Sequence, residues 1–258
     1  MTSTVVDYTK SLVEIPCNLC GSNDFTTIYP ARYDHAMDEE KLQDSFKSSG
    51  DEILMDRLVK CNNCGLQYLN PRLNETMIIN SYSSGSDEIF ISQIDGRERT
   101  FRKCLDILEK FVLKRDALLD VGTAGGSFLG VAKERGWQVS GCEPSKWLTE
   151  WGNTHYGLNI QVGTIFDMHL DANSKNVITL WDVIEHTADP KNVLQECHRV
   201  LKNDGILLLV IPDIGSLVSK IMRRKWVFLL SVHLYYFTYQ TMKAMLEKTG
   251  FTVIYTKK

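Results

Sequence analysis

The sequence predicts an α/β fold: a doubly wound, mostly parallel sheet with a small cysteine-bearing module in front of it. Three observations predict it. From Leu118 onward, short apolar strands alternate with amphipathic helices. The first of those strands runs into a turn of small residues, Gly122-Thr123-Ala124-Gly125-Gly126, that opens a helix. Two C-x-x-C-G turns, CNLCG and CNNCG, stand upstream of the alternation.

Residues 1–77 read as the module. DFTTIYPAR and ILMDRLVKC are extended runs beside the cysteine turns, and the polar segment DHAMDEEKLQDSFKSSGDE lies between them. NPRLNETM is an exit turn into a helix. Residues 78–98 read as a linker centred on YSSGSDE, and residues 99–258 as the α/β domain. In RERTFRKCLDILEKFV, Phe101, Cys104, Leu105, Leu108, Phe111 and Val112 recur at helical steps on one face. ALLDVG is then a strand, SFLGVAKERG a helix, WQVSGCEPS a strand, LTEWGNTHYG a helix and LNIQVGTIF a strand. NVITLWDVIEH is a fourth strand, and PKNVLQECHRVLKNDG a helix with Gly205 as its C-cap. GILLLVIP is continuously apolar, as a strand buried on both faces must be. TYQTMKAMLEKTG is a helix and FTVIYTKK a last strand.

Seven cysteines and no basic-then-apolar leader argue against a disulfide framework and place the chain in the cytoplasm. Cys17, Cys20, Cys61 and Cys64 form the two paired turns, each closed by a glycine, Gly21 or Gly65. Two such knuckles present four sulfurs in tetrahedral array, the closed coordination of structural zinc, with no open position for catalysis. The long gap between the pairs adds little to the closure cost, which grows only with the logarithm of loop length. A net charge of −3 speaks against duplex nucleic acid as the main partner. The longest uncharged apolar stretch, Trp226 to Met242, is too short and too polar for a spanning helix. Composition is that of an ordinary globular chain, with 43% hydrophobic and 24% charged residues, so a disordered or fibrous protein is excluded.

The chemistry concentrates in LLDVGTAGGSFLGVAKERGWQVSGCEPS. The glycines let a ligand approach the backbone and leave a helix N-terminus facing it. Glu143 ends the second strand, where a carboxylate can accept both hydroxyls of a ribose. The segment therefore reads as a nucleoside-cofactor site. Ala124 breaks the G-x-G-x-x-G pattern of a nicotinamide-dependent oxidoreductase, which becomes a lesser reading.

The turn resembles instead the first motif of class I S-adenosylmethionine-dependent methyltransferases, a Rossmann-like fold. VGTIFDM, LWDVIEHTADP and FTYQTMKAMLEKTGF match later motifs of that family in order, over about residues 75–258. The resemblance implies S-adenosylmethionine as cofactor. It implies that Asp120, Gly122, Thr123 and Gly126 hold the methionine end, and that Glu143, with Pro144 and Ser145 behind it, holds the ribose. Ile165 and Phe166 would hold the adenine, and Trp181 and Asp182 would form the wall beside the sulfonium. With CxxCGS and CxxCGLxYLNPR in front, the chain resembles a bacterial subgroup acting on sugars, nucleotide-linked sugars or natural products. The acceptor is then a small molecule. The readings set against it are a non-catalytic relative that binds cofactor or a partner, and an RNA methyltransferase. The acidic balance and the absence of N-P-P-[YF] after the fourth strand oppose the latter.

A methyl group at Ala124 is tolerable where φ is negative. The family fold also carries an antiparallel strand beside FTVIYTKK. The sequence ends eight residues after Gly250 and offers none, so an open edge is expected, through truncation or for a partner to cover. His186, in the turn after the fourth strand, and His233, in SVHLYYF, are the candidate bases. The competing roles are a backbone-bonded helix-start residue for His186 and aromatic packing for His233. Asp182, Glu185 and His186 resemble a divalent-ion set of some quinone O-methyltransferases, but ordinary capping accounts for them and no metal is expected there. The one basic cluster, Lys220, Arg223, Arg224 and Lys225, suits phosphate on a nucleotide or lipid carrier, or is a solvated helix face.

Overall fold

The structure is a computed structural model, and it describes residues 5–6, 12–32, 37–38, 54–83 and 88–257. The elements in chain order begin with strands β1 (Val5–Val6), β2 (Leu12–Val13), β3 (Phe25–Tyr29), β4 (Met37–Asp38), β5 (Leu58–Cys61), β6 (Gln67–Leu69) and β7 (Arg72–Leu73). Helices α1 (Glu75–Ser83), α2 (Glu88–Ser92) and α3 (Ile94–Leu108) follow. Then come β8 (Ala117–Val121), α4 (Ser127–Glu134), β9 (Gln138–Glu143), α5 (Lys146–Tyr156) and β10 (Ile160–Val162). The last are β11 (Lys175–Trp181), α6 (Pro190–Val200), β12 (Leu201–Val210), α7 (Leu217–Met222), β13 (Tyr235–Tyr236) and α8 (Tyr239–Lys248).

Five strands form one sheet in the order β10-β9-β8-β11-β12, and every neighbouring pair is parallel. The cause is visible in the strands: Leu118 and Leu119 in β8 and Val177, Ile178 and Leu180 in β11 are buried among helices. On one face α3 meets α4 through Phe101 and Phe128, edge to face at 5.4 Å, over a cluster that includes Leu105, Leu118 and Trp137. The strand order reverses between β8 and β11, so a crevice opens at the carboxyl ends of those two strands. The predicted α/β class and sheet are therefore present.

A second, antiparallel sheet has the order β13-β6-β5-β3. Three of its strands come from the cysteine-bearing segment and the fourth, β13, from near the far end of the chain. Leu54 N–H donates to Leu229 O and Leu69 N–H to Leu234 O, both at 2.9 Å. One apolar cluster runs from Cys17 and Tyr68 through Ile184 and Leu234 to Met245. The module is thus built jointly with residues 229–248. Local reading of residues 1–77 does not reveal this.

Other expectations change. The helix before β12 ends at Val200, and Gly205 is no C-cap. It lies inside β12, where the register with β11 skips between Lys175 and Val177. A Cβ there would sit 2.9 Å from Lys202 O and 3.2 Å from Asn176 O, so the bulge itself requires glycine. Residues 251–257 form no strand. Alternation alone does not make one without a hydrogen-bonding neighbour, and among the described residues the outer edge of β12 has none. Tyr255 instead rests on Phe111, ring centroids 5.4 Å apart. Residues 78–98 carry helical structure on both sides of residues 84–87, which lie outside the described residues. So does most of DHAMDEEKLQDSFKSSGDE, apart from Met37–Asp38, paired with Val5–Val6. No helix among the described residues is long and apolar enough to cross a membrane.

Candidate active site

The glycine turn sits at the crevice. Gly122 N–H and Thr123 N–H both donate to Cys142 O, at 2.9 and 3.1 Å, and so tie the end of β8 to β9. Gly122 has φ +68°, and a Cβ there would lie 2.7 Å from Val183 Cγ2 on the turn after β11. The two loops at the reversal point therefore touch, and only glycine allows it. Gly126 caps α4 in the left-handed conformation.

Glu143 organises the turn. Its Oε2 accepts from Ala124 N–H and its Oε1 from Ser145 N–H, each at 2.8 Å. Burial pushes its carboxyl up to about 7, against the pull of those two backbone donors. Ser145 in turn caps α5, accepting from Leu148 N–H, with half-buried Pro144 between them. Asp120 lies beneath the turn, buried, its Oδ1 receiving the Thr179 hydroxyl at 2.5 Å. Burial pushes it up to about 7 as well. Thr123 Oγ1 and Trp181 Nε1 are buried without hydrogen-bond partners among the described residues. Trp181 is held between Phe101 and Phe128, centroids 5.0 and 4.9 Å away. Ile165 is in the core, whereas Phe166 is 39% exposed. Asp182 is exposed at φ +51°, with its N–H on Val210 O. Sequence reasoning did not single out Ile91 and Trp151. A Cβ on Gly125 would be 3.3 Å from Trp151 and 3.6 Å from Ile91, so these two close over the turn. No local pattern in the linker announces Ile91.

The condition for an unstrained methyl group at Ala124 is not met: its φ is +48°. The Glu143 carboxylate captures the Ala124 N–H and holds the residue left-handed, where a Cβ costs about 1 kcal/mol. Ala124→Gly relieves that cost but frees the unfolded chain. A net change between zero and about +1 kcal/mol of stability is expected in urea unfolding. A loss beyond about 1 kcal/mol would show that the methyl group packs favourably.

The two histidines come together with Glu185, and Asp182 is not in the group. One ligand atom from each of Glu185, His186 and His233 lies within 4.8 Å of the others. The imidazoles meet edge to face at 4.6 Å. His186 Nδ1 is 3.0 Å from Val232 O, and His233 Nδ1 is 2.9 Å from Phe228 O. A carbonyl only accepts, so each Nδ1 carries the proton and Nε2 is the basic nitrogen. Both competing roles, backbone bonding and aromatic packing, are thus present in the same side chains. Glu185 is buried, and among the described residues neither carboxylate oxygen has a hydrogen-bond partner. Burial, then the nearby Asp182, raises its carboxyl well above the usual range. Two imidazoles and a carboxyl at this spacing are donors that a divalent ion can use. Burial drives His186 well below its ordinary value, helped by His233.

Burial also lowers His233, from 6.5 to about 4, against the pull of Phe228 O. Between those values the unfolded chain binds a proton that the folded chain refuses. Stability is therefore complete above pH 6.5 and falls as pH drops toward 4. His233→Asn keeps a donor for Phe228 O and cannot titrate. Over this window it should lose less stability than the wild type, by up to about 3 kcal/mol in urea unfolding at stepped pH. Equal slopes would show that His233 titrates normally.

The four cysteines converge as expected, with all four sulfurs within 4.8 Å of one another. Cys17 Sγ is 3.4 Å from Cys64 Sγ, and Cys20 Sγ is 3.5 Å from Cys61 Sγ. Sulfurs about 2.3 Å from a common tetrahedral centre stand about 3.8 Å apart, close to these distances. The two turns repeat each other: Gly21 N–H donates to Cys17 O and Gly65 N–H to Cys61 O, at φ +78° and +80°. Such an array suggests zinc. Burial raises Cys17 and Cys64, the latter to about 11. In Cys20 burial is outweighed by hydrogen bonds from Ser22 N–H and the Asn63 side chain, and it falls to about 6.

This cysteine segment grips the histidine turn. Asn18 Nδ2 donates to Asp189 Oδ1 at 2.8 Å, and Asn18 Oδ1 accepts Lys191 N–H. Arg72 Nη2 donates to Ala188 O at 2.5 Å, and Leu234 N–H donates to Glu185 O at 2.9 Å.

A family profile described as "Methyltransferase domain" matches residues 97–256, well over half of the chain. The chain belongs to the methyltransferase-domain family. Among curated proteins, this methyltransferase-family chain is 33% identical over 102 residues to the ubiquinone biosynthesis O-methyltransferase of Haemophilus ducreyi. That match covers 36% of the chain and 43% of the relative. It is 28% identical over 106 residues to the enzyme of the same name from Coxiella burnetii, covering 39% and 45%. The chain thus spans less than half the length of these curated relatives. Among solved structures, a SAM-dependent methyltransferase from Archaeoglobus fulgidus superposes with TM-score 0.53 at 20% identity, covering 64% of this chain and 75% of that one. The last similarity concerns the fold alone.

Proposed function

We propose that the chain transfers a methyl group from S-adenosylmethionine to a small-molecule acceptor, and that Cys17, Cys20, Cys61 and Cys64 hold a structural zinc ion. The observation that carries the first reading is the meeting, at one sheet end, of the Glu143-pinned glycine turn and the His186–His233 pair. The residues fit the cofactor. Glu143 is fixed by two backbone N–H groups, and each oxygen keeps a further lone pair for a ribose hydroxyl. Thr123 Oγ1 and Trp181 Nε1 are buried polar atoms awaiting partners. Gly122, Thr123 and Gly126, braced by Asp120, would hold the methionine end. Pro144 and Ser145 would fix the ribose strand end. Phe166 offers an exposed face for the base, with Ile165 beneath it. Trp181 and Asp182 would wall the methyl side. When bound, S-adenosylmethionine supplies an electrophilic methyl group, which needs alignment and exclusion of water more than activation.

His186 and His233 receive or orient the acceptor's proton through Nε2. The acceptor class is a sugar, a nucleotide-linked sugar or a natural-product intermediate. A phenolic hydroxyl is a second reading. One observation favours it: imidazoles held so far below their ordinary pKa are weak bases, and they suit an acidic hydroxyl better than an alcohol. The partial match to enzymes named for ubiquinone O-methylation supports the same reading. The test is calorimetric titration of the folded chain with S-adenosylmethionine. It is followed by release of S-adenosylhomocysteine in the presence of nucleotide sugars or of catechols. Saturable binding with turnover on one acceptor class decides between them. Absence of binding by folded chain would sink the methyl-transfer reading.

A further inference from the structure

The excursion between β12 and β13 contains a helix with its polarity inverted. In α7 the buried residue is Ser219, whose hydroxyl donates to Ile214 O and Ser216 O at 2.6 and 2.8 Å. The large apolar residues face outward: Leu217 is 73% exposed, Val218 58% and Ile221 72%. Just beyond, Val227 and Phe228 are 65% and 45% exposed, while Trp226 is turned inward. An amphipathic surface helix ordinarily does the opposite. Lys220, Arg223, Arg224 and Lys225 are interleaved with these side chains and are all exposed. No aspartate or glutamate occurs between Asp213 and Glu247. Arg224 lies over the Tyr29 ring at 4.5 Å, so β3 steadies the basic end. Lys220 and Arg223, with Tyr29 and Trp226, line a cavity of about 160 Å³ beneath the patch.

We infer that this face, Leu217 to Phe228, docks on an anionic lipid surface. Apolar side chains pointing outward beside a ring of cations, with no acidic residue among them, have the composition of an interfacial membrane-binding segment. Charge complementarity selects the occupant. Docking of a second copy about a two-fold axis would bring four cations against four, whereas an anionic bilayer neutralises them and receives the apolar side chains. The excursion leaves from the carboxyl end of β12, the sheet end that bears the histidine pair, and its continuation carries His233. Docking therefore sets the candidate active site near the lipid headgroups. The proposal does not depend on the methyl-transfer reading.

The test is flotation of the full zinc-loaded chain with vesicles. One set is phosphatidylcholine alone; the other also contains about a third phosphatidylglycerol. The anionic vesicles should carry at least about tenfold more protein, and raising salt well above physiological strength should reduce this. Ile221→Asp, at an exposed position, should keep the wild-type melting temperature and lower flotation by about tenfold or more. The pair Arg223→Glu and Arg224→Glu should abolish the preference for anionic vesicles. Failure of folded wild type to float with either set overturns the inference, as does undiminished flotation of Ile221→Asp. Concentration-dependent dimerisation that Ile221→Asp abolishes, without flotation, would assign the face to self-association and overturn it equally.

Discussion

Replacing Glu143 by alanine should weaken S-adenosylmethionine binding by at least about a hundredfold in calorimetric titration. The proposed ribose contact loses two hydrogen bonds to a carboxylate, each worth about 1.5–3 kcal/mol, and every 1.4 kcal/mol is a factor of ten. The same substitution strands the Ala124 and Ser145 N–H groups, so the turn itself should loosen. A melting curve on the same sample separates the two effects. If the variant melts within a few degrees of wild type and still binds within threefold, Glu143 does not hold the ribose. Glu143→Asp, one methylene shorter, should fall between wild type and alanine.

Removing one of the four proposed zinc ligands should have the largest effect on stability. Cys61 is fully buried at the start of a knuckle and pairs with Cys20 across the site. Zinc binding to four thiolates contributes on the order of 10 kcal/mol in small zinc modules, and that energy is folding energy. Even half of it would lower the melting temperature of a chain this size by more than about 10 °C. Cys61→Ser should therefore melt far below wild type and retain little zinc by elemental analysis. Prolonged chelation of the wild type should give the same shift, reversed by added zinc. Zinc uptake should also release protons, because burial holds Cys17 and Cys64 in the thiol form. A zinc-free sample with an unchanged melting curve would reduce the four sulfurs to buried thiols.

The parts legible in the sequence were those set by local chemistry. Apolar runs mark β8 and β11, because a strand buried on both faces reads as a nearly continuous hydrophobic stretch. Matching C-x-x-C-G turns placed the four sulfurs, because the turn needs glycine at positive φ. What was not legible depended on distant partners. Phe251–Lys257 alternates like a strand but pairs with no strand among the described residues. Lys202-Asn203-Asp204-Gly205 reads like a helix end, yet the neighbouring strand turns it into a bulge. Ala124 takes a positive φ because a glutamate nineteen residues later binds its N–H. The sequence points to His186 and His233 separately. Their contact, and the burial of Glu185 beside them, follow from tertiary packing that no spacing encodes.

The joint sheet has a consequence for how the chain is made. Cys17 and Cys20 are made long before Tyr235–Tyr236, the strand that completes the sheet. Lys248 closes on Leu19 O across 229 residues of chain. Such pairings carry a high sequence separation, and folds rich in them form slowly. During synthesis the cysteine knuckles must wait, exposed, for a partner strand not yet translated. At the usual pace of about 5–20 residues per second that wait lasts tens of seconds at the slow end. In that interval the proposed metal capture would compete with oxidation and with misplaced edge pairing. If the four cysteines hold zinc as proposed, the order of synthesis makes metal supply during translation, and not only afterwards, a determinant of how much native protein results.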